Sequence, residues 1–199
     1  TFLVKSIGLA PITFRHYQKE VWRLLSDVAW GNGAIVVGGG TVGVMVILGI
    51  MGGATVGIEG YTALNLLGME PLTGALSAFA TTREIAPLLA ATAFAAQSGC
   101  RFTAQLGSMR ISEEIDALEA IAIRPLPYLV TTRMAAAVLS IVPLYAISLA
   151  ANYIAAQVVF QLQSGQGAGT YLHYFQQFML SSDVIFSFLK VVVFVLLTT

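Results

Sequence analysis

The stretch AIVVGGGTVGVMVILGIMGGATVGI, residues 34–58, decides the fold class. It contains 25 residues and no charged side chain. As an α-helix it would be ~37 Å long, enough to cross a hydrocarbon core of about 30 Å. Gly49, Gly53 and Gly57 recur at every fourth position, which creates a face that another helix backbone can approach closely. We therefore predict a first membrane span that packs tightly, either within a bundle or in a dimer.

The composition of the whole chain agrees with lipid as its solvent. Of 199 residues, 57% are hydrophobic and 10% are charged, and the mean hydropathy is +0.81, a balance typical of membrane proteins. Ten basic and ten acidic residues cancel, so no basic field attracts nucleic acid. The single cysteine and two histidines form no metal-binding pattern. We expect an all-α integral membrane protein with no metal site and no nucleic-acid partner.

An amphipathic helix is predicted just before the first span, over residues 12–30. Its apolar positions recur at three- and four-residue spacing, and Trp22 and Trp30 supply interfacial rings. This pattern favours a helix in the plane of the lipid headgroups, and the alternative is a helix that binds a soluble partner. The apolar positions are Phe14, Tyr17, Val21, Leu24 and Val28.

Further apolar runs follow the first span. The predicted elements are a second span at 72–100, a third at 134–160, an extracytoplasmic loop with a short amphipathic or re-entrant piece at 161–182, and a fourth span at 184–199. The chain starts without methionine and stops inside an apolar run, so we expect both ends to be truncated.

Lysine and arginine in the connections predict the topology. The connections at 59–71 and 161–182 contain neither residue, which places them outside the cell. The N-terminus and the segment 101–133 are therefore expected in the cytoplasm. The basic residues concerned are Lys5, Arg15, Lys19 and Arg23 before the first span, and Arg101, Arg110, Arg124 and Arg133 between the second and third.

A short helix is predicted between the second and third spans, at residues 112–123. Ser112 is a favourable N-cap, and Pro125 ends the segment. About three turns are too few to cross a bilayer. Ile115 and Leu118 would form an apolar edge beside acidic residues, which suits the groove of a partner protein. Spacing alone leaves a solvated acidic connector equally open.

A resemblance to a known family enters at this segment. The run REIAPLLAATAFAAQSGCRFTAQLGSMRISEEIDALEAIAIRP, residues 83–125, resembles the signature region of the MlaE/YrbE permeases, whose hallmark is a Glu-Glu-x-Asp-Ala-Leu-like stretch between spans two and three. The chain looks most like the YrbE members of actinobacterial Mce operons. Gln97 departs from the Gly-Arg common in other members, and we expect the last of the family's about five spans to be missing or truncated in this sequence.

The resemblance implies an ABC-type lipid transporter in a bacterial inner or plasma membrane. In such a machine a pair of permeases binds cytoplasmic ATPases and, on the opposite side, MCE proteins that conduct lipid. The second permease is expected to be a homologous sister subunit, and the direction to be import. This sequence contains no G-x-x-x-x-G-K-[ST] loop, so ATP and magnesium are expected on the partner ATPase, and the chain itself is expected to be non-catalytic and without a cofactor.

Two groups of site residues are predicted. The contact with the ATPase is assigned to Arg110, Glu113, Glu114, Ile115, Asp116, Ala117 and Leu118. Charged side chains inside predicted spans are functional candidates because they are costly in lipid. We therefore assign lipid headgroup binding to Arg83, Glu84 and Lys190, with a structural ion pair as the alternative.

Three other classes of function compete with a permease. An intramembrane hydrolase is poorly supported because the sequence contains neither G-x-S-x-G nor H-E-x-x-H. An ion-coupled secondary transporter would need internal repeats, which we do not find. A structural membrane anchor for the MCE assembly remains open.

Overall fold

The computed structural model describes residues 17–30, 40–122, 125–165 and 167–199. Within this part every regular element is a helix, which confirms the predicted all-α class. The helices are α1 Gln18–Trp30, α2 Gly40–Asn65, α3 at residues 73–111, α4 Glu114–Ala120, α5 Leu126–Ser164, α6 Ala168–Phe178 and α7 Ser181–Thr198. A short 3₁₀ turn, Glu70–Leu72, leads into α3.

Three helices of the described part, α2, α5 and α7, are long and apolar enough to cross a membrane. The predicted second span lies in α3, where π-helical turns alternate with α-helix. The α-helical pieces are Thr73–Leu76, Ala86–Phe94 and Cys100–Ile111, and the π-helical ones are Ser77–Ile85 and Ala95–Gly99. Its role as a span stays a prediction.

Several predicted boundaries differ from the structure. The helix of the third span begins at Leu126 and ends at Ser164. The short amphipathic piece predicted within 161–182 is the helix α6, which begins at Ala168. The short helix α4 has seven residues. Ser112 closes α3 and does not cap α4, because Glu113 precedes α4 in a left-handed conformation. Residues 12–16, 34–39, 123 and 166 of the predicted elements lie outside the described part.

The glycine ridge of α2 packs on α5 of the same chain. A Cβ atom at Gly53 would lie 2.0 Å from the carbonyl oxygen of Asn152, and one at Gly49 would lie 2.6 Å from that of Ser148. A Cβ at Gly57 would lie 3.0 Å from the side chain of Val159 and 3.1 Å from the carbonyl oxygen of Ala156. Such backbone proximity needs glycine because any larger residue would force the helices apart.

The apolar stripe of α1 is covered by the protein itself. Val21, Leu24 and Val28 are buried, and α1 contacts α5 and α2. Trp22 lies on the opposite side and is largely exposed. The helix is therefore amphipathic as predicted, but its buried side faces protein. Phe14, from the predicted stripe, is outside the described residues.

The helix α6 docks against the start of α3. Tyr171 is fully buried and its hydroxyl donates a hydrogen bond to Ser77 Oγ at 2.7 Å. Burial raises the pKa of the Tyr171 phenol to about 12. Gly74 allows the approach, since a Cβ there would lie 2.3 Å from the Tyr171 carbonyl oxygen. The predicted amphipathic piece thus contributes to the packed body.

Candidate functional site

The helix α4 lies between two long helices, after the end of α3 and before the start of α5. Arg110 Nη1 donates to Asp116 Oδ1 at 2.8 Å, and both side chains are exposed. Ser112 Oγ lies 3.2 Å from Glu114 Oε1. The structure therefore brings the predicted coupling residues together, and it gives Asp116 a partner within the chain. The carboxylates of Glu113, Glu114, Asp116 and Glu119 all belong to exposed residues.

The apolar residues of this segment differ in how exposed they are. Ile115 and Leu118, predicted to insert into a partner, are half-buried. Leu118 lines a cleft of about 380 Å³ together with Met109 and Tyr128 of the same chain. The strongly exposed apolar side chains are instead Ile111, 86% exposed, and Ile121, 66% exposed. Sequence reasoning missed both, although each is an isoleucine at an end of the motif.

Left-handed residues that are not glycine flank α4 on both sides. Glu113 has φ 58° and Ala122 has φ 60°. A left-handed conformation costs a residue with a Cβ roughly 1–2 kcal/mol. The backbone therefore changes direction sharply at each end of α4, which separates this helix from its two flanking arms.

The predicted headgroup residues also meet in space. Lys190 Nζ of α7 donates to both carboxylate oxygens of Glu84 at 3.0 Å and to the carbonyl oxygen of Arg83 at 2.7 Å. Arg83 Nε lies 3.6 Å from Asp183 Oδ1. These four residues, which we call the charged cluster, join the first π-helical part of α3 to α7.

The charged cluster borders a cleft of about 220 Å³. The Arg83 guanidinium lies 4.9 Å from the ring centroid of Phe79, and its side chain is 48% exposed. The two cations and two carboxylates of the cluster balance in charge, and the Arg83 side chain stays accessible. Sequence reasoning missed Asp183. A signal was present, because Asp183 and Lys190 are seven residues apart and share a helix face.

Comparison with known proteins now adds to this geometry. A family model described as "Permease MlaE" matches residues 31–199. The chain belongs to the MlaE permease family. With its apolar helices, this makes it a multi-pass membrane protein, as the resemblance indicated.

Individual curated proteins are similar to parts of this chain. The MlaE permease of an intermembrane phospholipid transport system in Haemophilus influenzae is 28% identical over 157 residues, 78% of this chain and 60% of that protein. A probable ABC transporter permease of Synechocystis is 38% identical over 69 residues, 35% of this chain and 26% of that protein. The chloroplastic protein trigalactosyldiacylglycerol 1 of Arabidopsis thaliana is 30% identical over 101 residues, 51% of this chain and 29% of that protein. The chain thus spans 60% or less of these relatives.

Two further sequence features can be located in this MlaE-family chain. Gln97, which departs from the common pattern, is exposed in the second π-helical part of α3. Among the residues that the structure describes, no group of three or more His, Cys, Asp or Glu side chains is placed to hold a metal ion.

Proposed function

We propose that this chain is the membrane permease of an MCE-type ABC transporter that moves lipids across a bacterial inner or plasma membrane. The observation that carries the proposal is α4, a short helix with exposed carboxylates between two long helical arms. Family membership supports it, as does the name of the Haemophilus relative, which refers to intermembrane phospholipid transport.

In this proposal a cytoplasmic ABC ATPase binds α4 and supplies the energy. Exposed carboxylates at Glu113 and Asp116 would face a basic rim of the ATPase, and Ile111 and Ile121 would enter its apolar groove. We thus shift the apolar contact from Ile115 and Leu118, which are half-buried, to the two exposed isoleucines. ATP binding would displace α4 as a lever between α3 and α5. The N-terminus and α4 would share the cytoplasmic side.

Partners on the other side and beside the chain complete the proposal. MCE proteins would receive or deliver lipid on the extracytoplasmic side, with import as the direction, and a homologous sister permease would complete a dimer. The glycine ridge is occupied by α5 of the same chain. A second permease subunit would therefore contact a different face.

A lipid headgroup would bind at the charged cluster. Arg83 borders the cleft and is half exposed, so a phosphate could pair with it as Asp183 does at 3.6 Å. The alternative function is a structural anchor for the MCE assembly without a lipid path, which the balanced charges of the cluster favour. Lipid-stimulated ATP hydrolysis by the reconstituted complex supports transport, and its absence supports the anchor.

Pull-down of the ATPase tests the docking of α4. Charge reversal at Glu113 and Asp116 should release the ATPase, whereas reversal at Glu59, an exposed residue of α2, should not. Because Asp116 pairs with Arg110, the double variant Arg110→Asp/Asp116→Arg restores the internal ion pair. We expect this double variant not to bind the ATPase. Recovery of binding would mean that Asp116 acts within the chain, and survival of the complex with both reversals would disprove the docking assignment.

Lipid transport tests the charged cluster. Arg83→Gln should lower transport while the complex still assembles. The exchange Arg83→Asp/Asp183→Arg rebuilds an ion pair with the charges reversed, so we expect it to stay defective if Arg83 meets a headgroup. Full recovery in the exchange variant, or loss of the folded complex in Arg83→Gln, would assign the cluster to structure.

A further inference from the structure

Arg133 is a buried arginine near the start of α5, the helix that follows α4 in the chain. Only 8% of it is exposed. Its Nη1 donates to the carbonyl oxygen of Leu129 at 2.8 Å, and its Nη2 lies 4.0 Å from Met109 Sδ. The guanidinium carbon lies 6.0 Å from the ring centroid of Phe102. One side chain thus touches the last turns of α3 and the first turns of α5.

The atoms in contact with Arg133 are neutral, and the carboxylate of Glu20 in α1 acts on its guanidinium from further away. No carboxylate of the described residues forms a salt bridge with it within 4.0 Å, and its Nε has no hydrogen-bond partner there. Burial of a guanidinium without a close counter-ion is costly. An apolar side chain of similar length would fill the same place at lower cost. Packing therefore does not account for an arginine at this position.

A polar cleft of about 310 Å³ opens beside Arg133. Glu20 and Asp27 of α1 line it, together with Glu114 from the first turn of α4. Any displacement of α4 moves the Glu114 carboxylate relative to the guanidinium. Because the Nε–H of Arg133 has no hydrogen-bond partner in this structure, it is free to donate to a carboxylate when α4 is displaced.

We infer that Arg133 is a positioning residue for energy coupling. It ties the end of α3, which leads into α4, to the start of α5, which follows α4. This inference rests on the proposed function. With the tie in place, α3 and α5 move together when the ATPase displaces α4. Without it, the left-handed residues Glu113 and Ala122 would absorb the movement, because backbone change there needs no motion of the spans.

The experiment uses the full-length permease, assembled with its ATPase and MCE partners in phospholipid vesicles. The measurement is the amount of fluorescent phospholipid transported per ATP hydrolysed. Arg133→Met keeps the unbranched apolar stem of the side chain and removes its charge and donors. We expect the ratio to fall at least about fivefold, the lower end of coupling between linked sites, while ATP hydrolysis continues. Arg133→Lys should give an intermediate ratio.

Arg101→Met is the matched control. Arg101 lies in α3 and, like Arg133, binds a backbone carbonyl, since its Nη1 donates to Asp27 O at 2.9 Å. That bond ties α3 to α1 and not to the arm of α5. We expect this variant to keep the ratio of the unmodified protein. An equal fall in both variants would assign the effect to helix packing in general and overturn the inference.

Met109→Ala decides the question if Arg133→Met does not assemble. It removes the contact of Arg133 with α3 at a half-buried position and leaves the arginine in place. A lowered ratio supports the tie, and an unchanged ratio in an intact complex overturns it. If the unmodified complex hydrolyses ATP and moves no lipid, the proposed function fails and this inference falls with it.

Discussion

Gly165 shows how one residue ends a long helix. It follows α5 with φ 64°, and its N–H donates to the carbonyl oxygen of Gln161 at 3.1 Å. A Cβ at this position would meet nothing within 4 Å. Its requirement for glycine is therefore conformational and not steric.

This gives a prediction for backbone strain alone. Gly165→Ala should lower the free energy of unfolding by about 1 kcal/mol, because alanine pays for a left-handed conformation. Thermal unfolding of the detergent-solubilised protein measures it. Gly169→Ala is the control, since Gly169 also has open space but no positive φ. Equal effects of the two substitutions would contradict this account of Gly165.

A second prediction at the residue scale concerns Tyr171. Tyr171→Phe leaves the buried Ser77 hydroxyl without its donor, which should destabilise the protein by about 1–2 kcal/mol. Tyr174→Phe, at a half-buried position of the same helix, should change stability by less. Chemical unfolding in mixed micelles compares the two variants. A neutral Tyr171→Phe would show that the hydrogen bond adds little to the docking of α6.

At the scale of elements, the contact between α2 and α5 depends on glycine. A Cβ at Gly53 would lie 2.0 Å from a backbone oxygen of α5, closer than any van der Waals contact, and a backbone cannot rotate away as a side chain can. The two helices must then separate along their common face.

We therefore predict that Gly53→Ala destabilises the protein by at least about 2 kcal/mol, through lost packing between the two helices. Gly107→Ala is the matched control, because Gly107 is also helical and a Cβ there meets nothing within 4 Å. It should be neutral or slightly stabilising, since alanine is the better helix former. Yield and melting temperature after purification give the comparison. A Gly53→Ala protein as stable as Gly107→Ala would mean that the helices adjust freely.

At the scale of the whole molecule, the topology is open to a direct test. We replace Cys100, the only cysteine, with serine and introduce Glu119→Cys in α4 or Gly169→Cys in α6, both at exposed positions. A membrane-impermeant maleimide should label Gly169→Cys in intact cells, and Glu119→Cys only after the inner membrane is opened. The opposite pattern would invert the proposed orientation and remove α4 from the ATPase side.

Several predictions from sequence follow from local properties of the chain. The residues near 112–118 predicted a short helix between two spans, but not its start, because Ser112 bonds back to the carbonyl oxygen of Ser108 in α3. The predicted apolar edge at Ile115 and Leu118 is half covered by the rest of the chain. Its contact with an ATPase stays a prediction. A helical period identifies an apolar face but not the surface that covers it.

The sequence alone determined that the chain lies in lipid, that its fold is all-α and which family it belongs to. Backbone groups in lipid must be satisfied within the chain, so a long uncharged run such as 34–58 has to be helical, and composition is a sum over residues that needs no knowledge of contacts. Only the tertiary structure decided that the glycine ridge meets α5, that Arg83 and Glu84 meet Asp183 and Lys190, and that Arg133 lies between the arms of α4. These pairings depend on the register and rotation of helices far apart in the chain, which hydrophobicity constrains weakly where every helix is apolar.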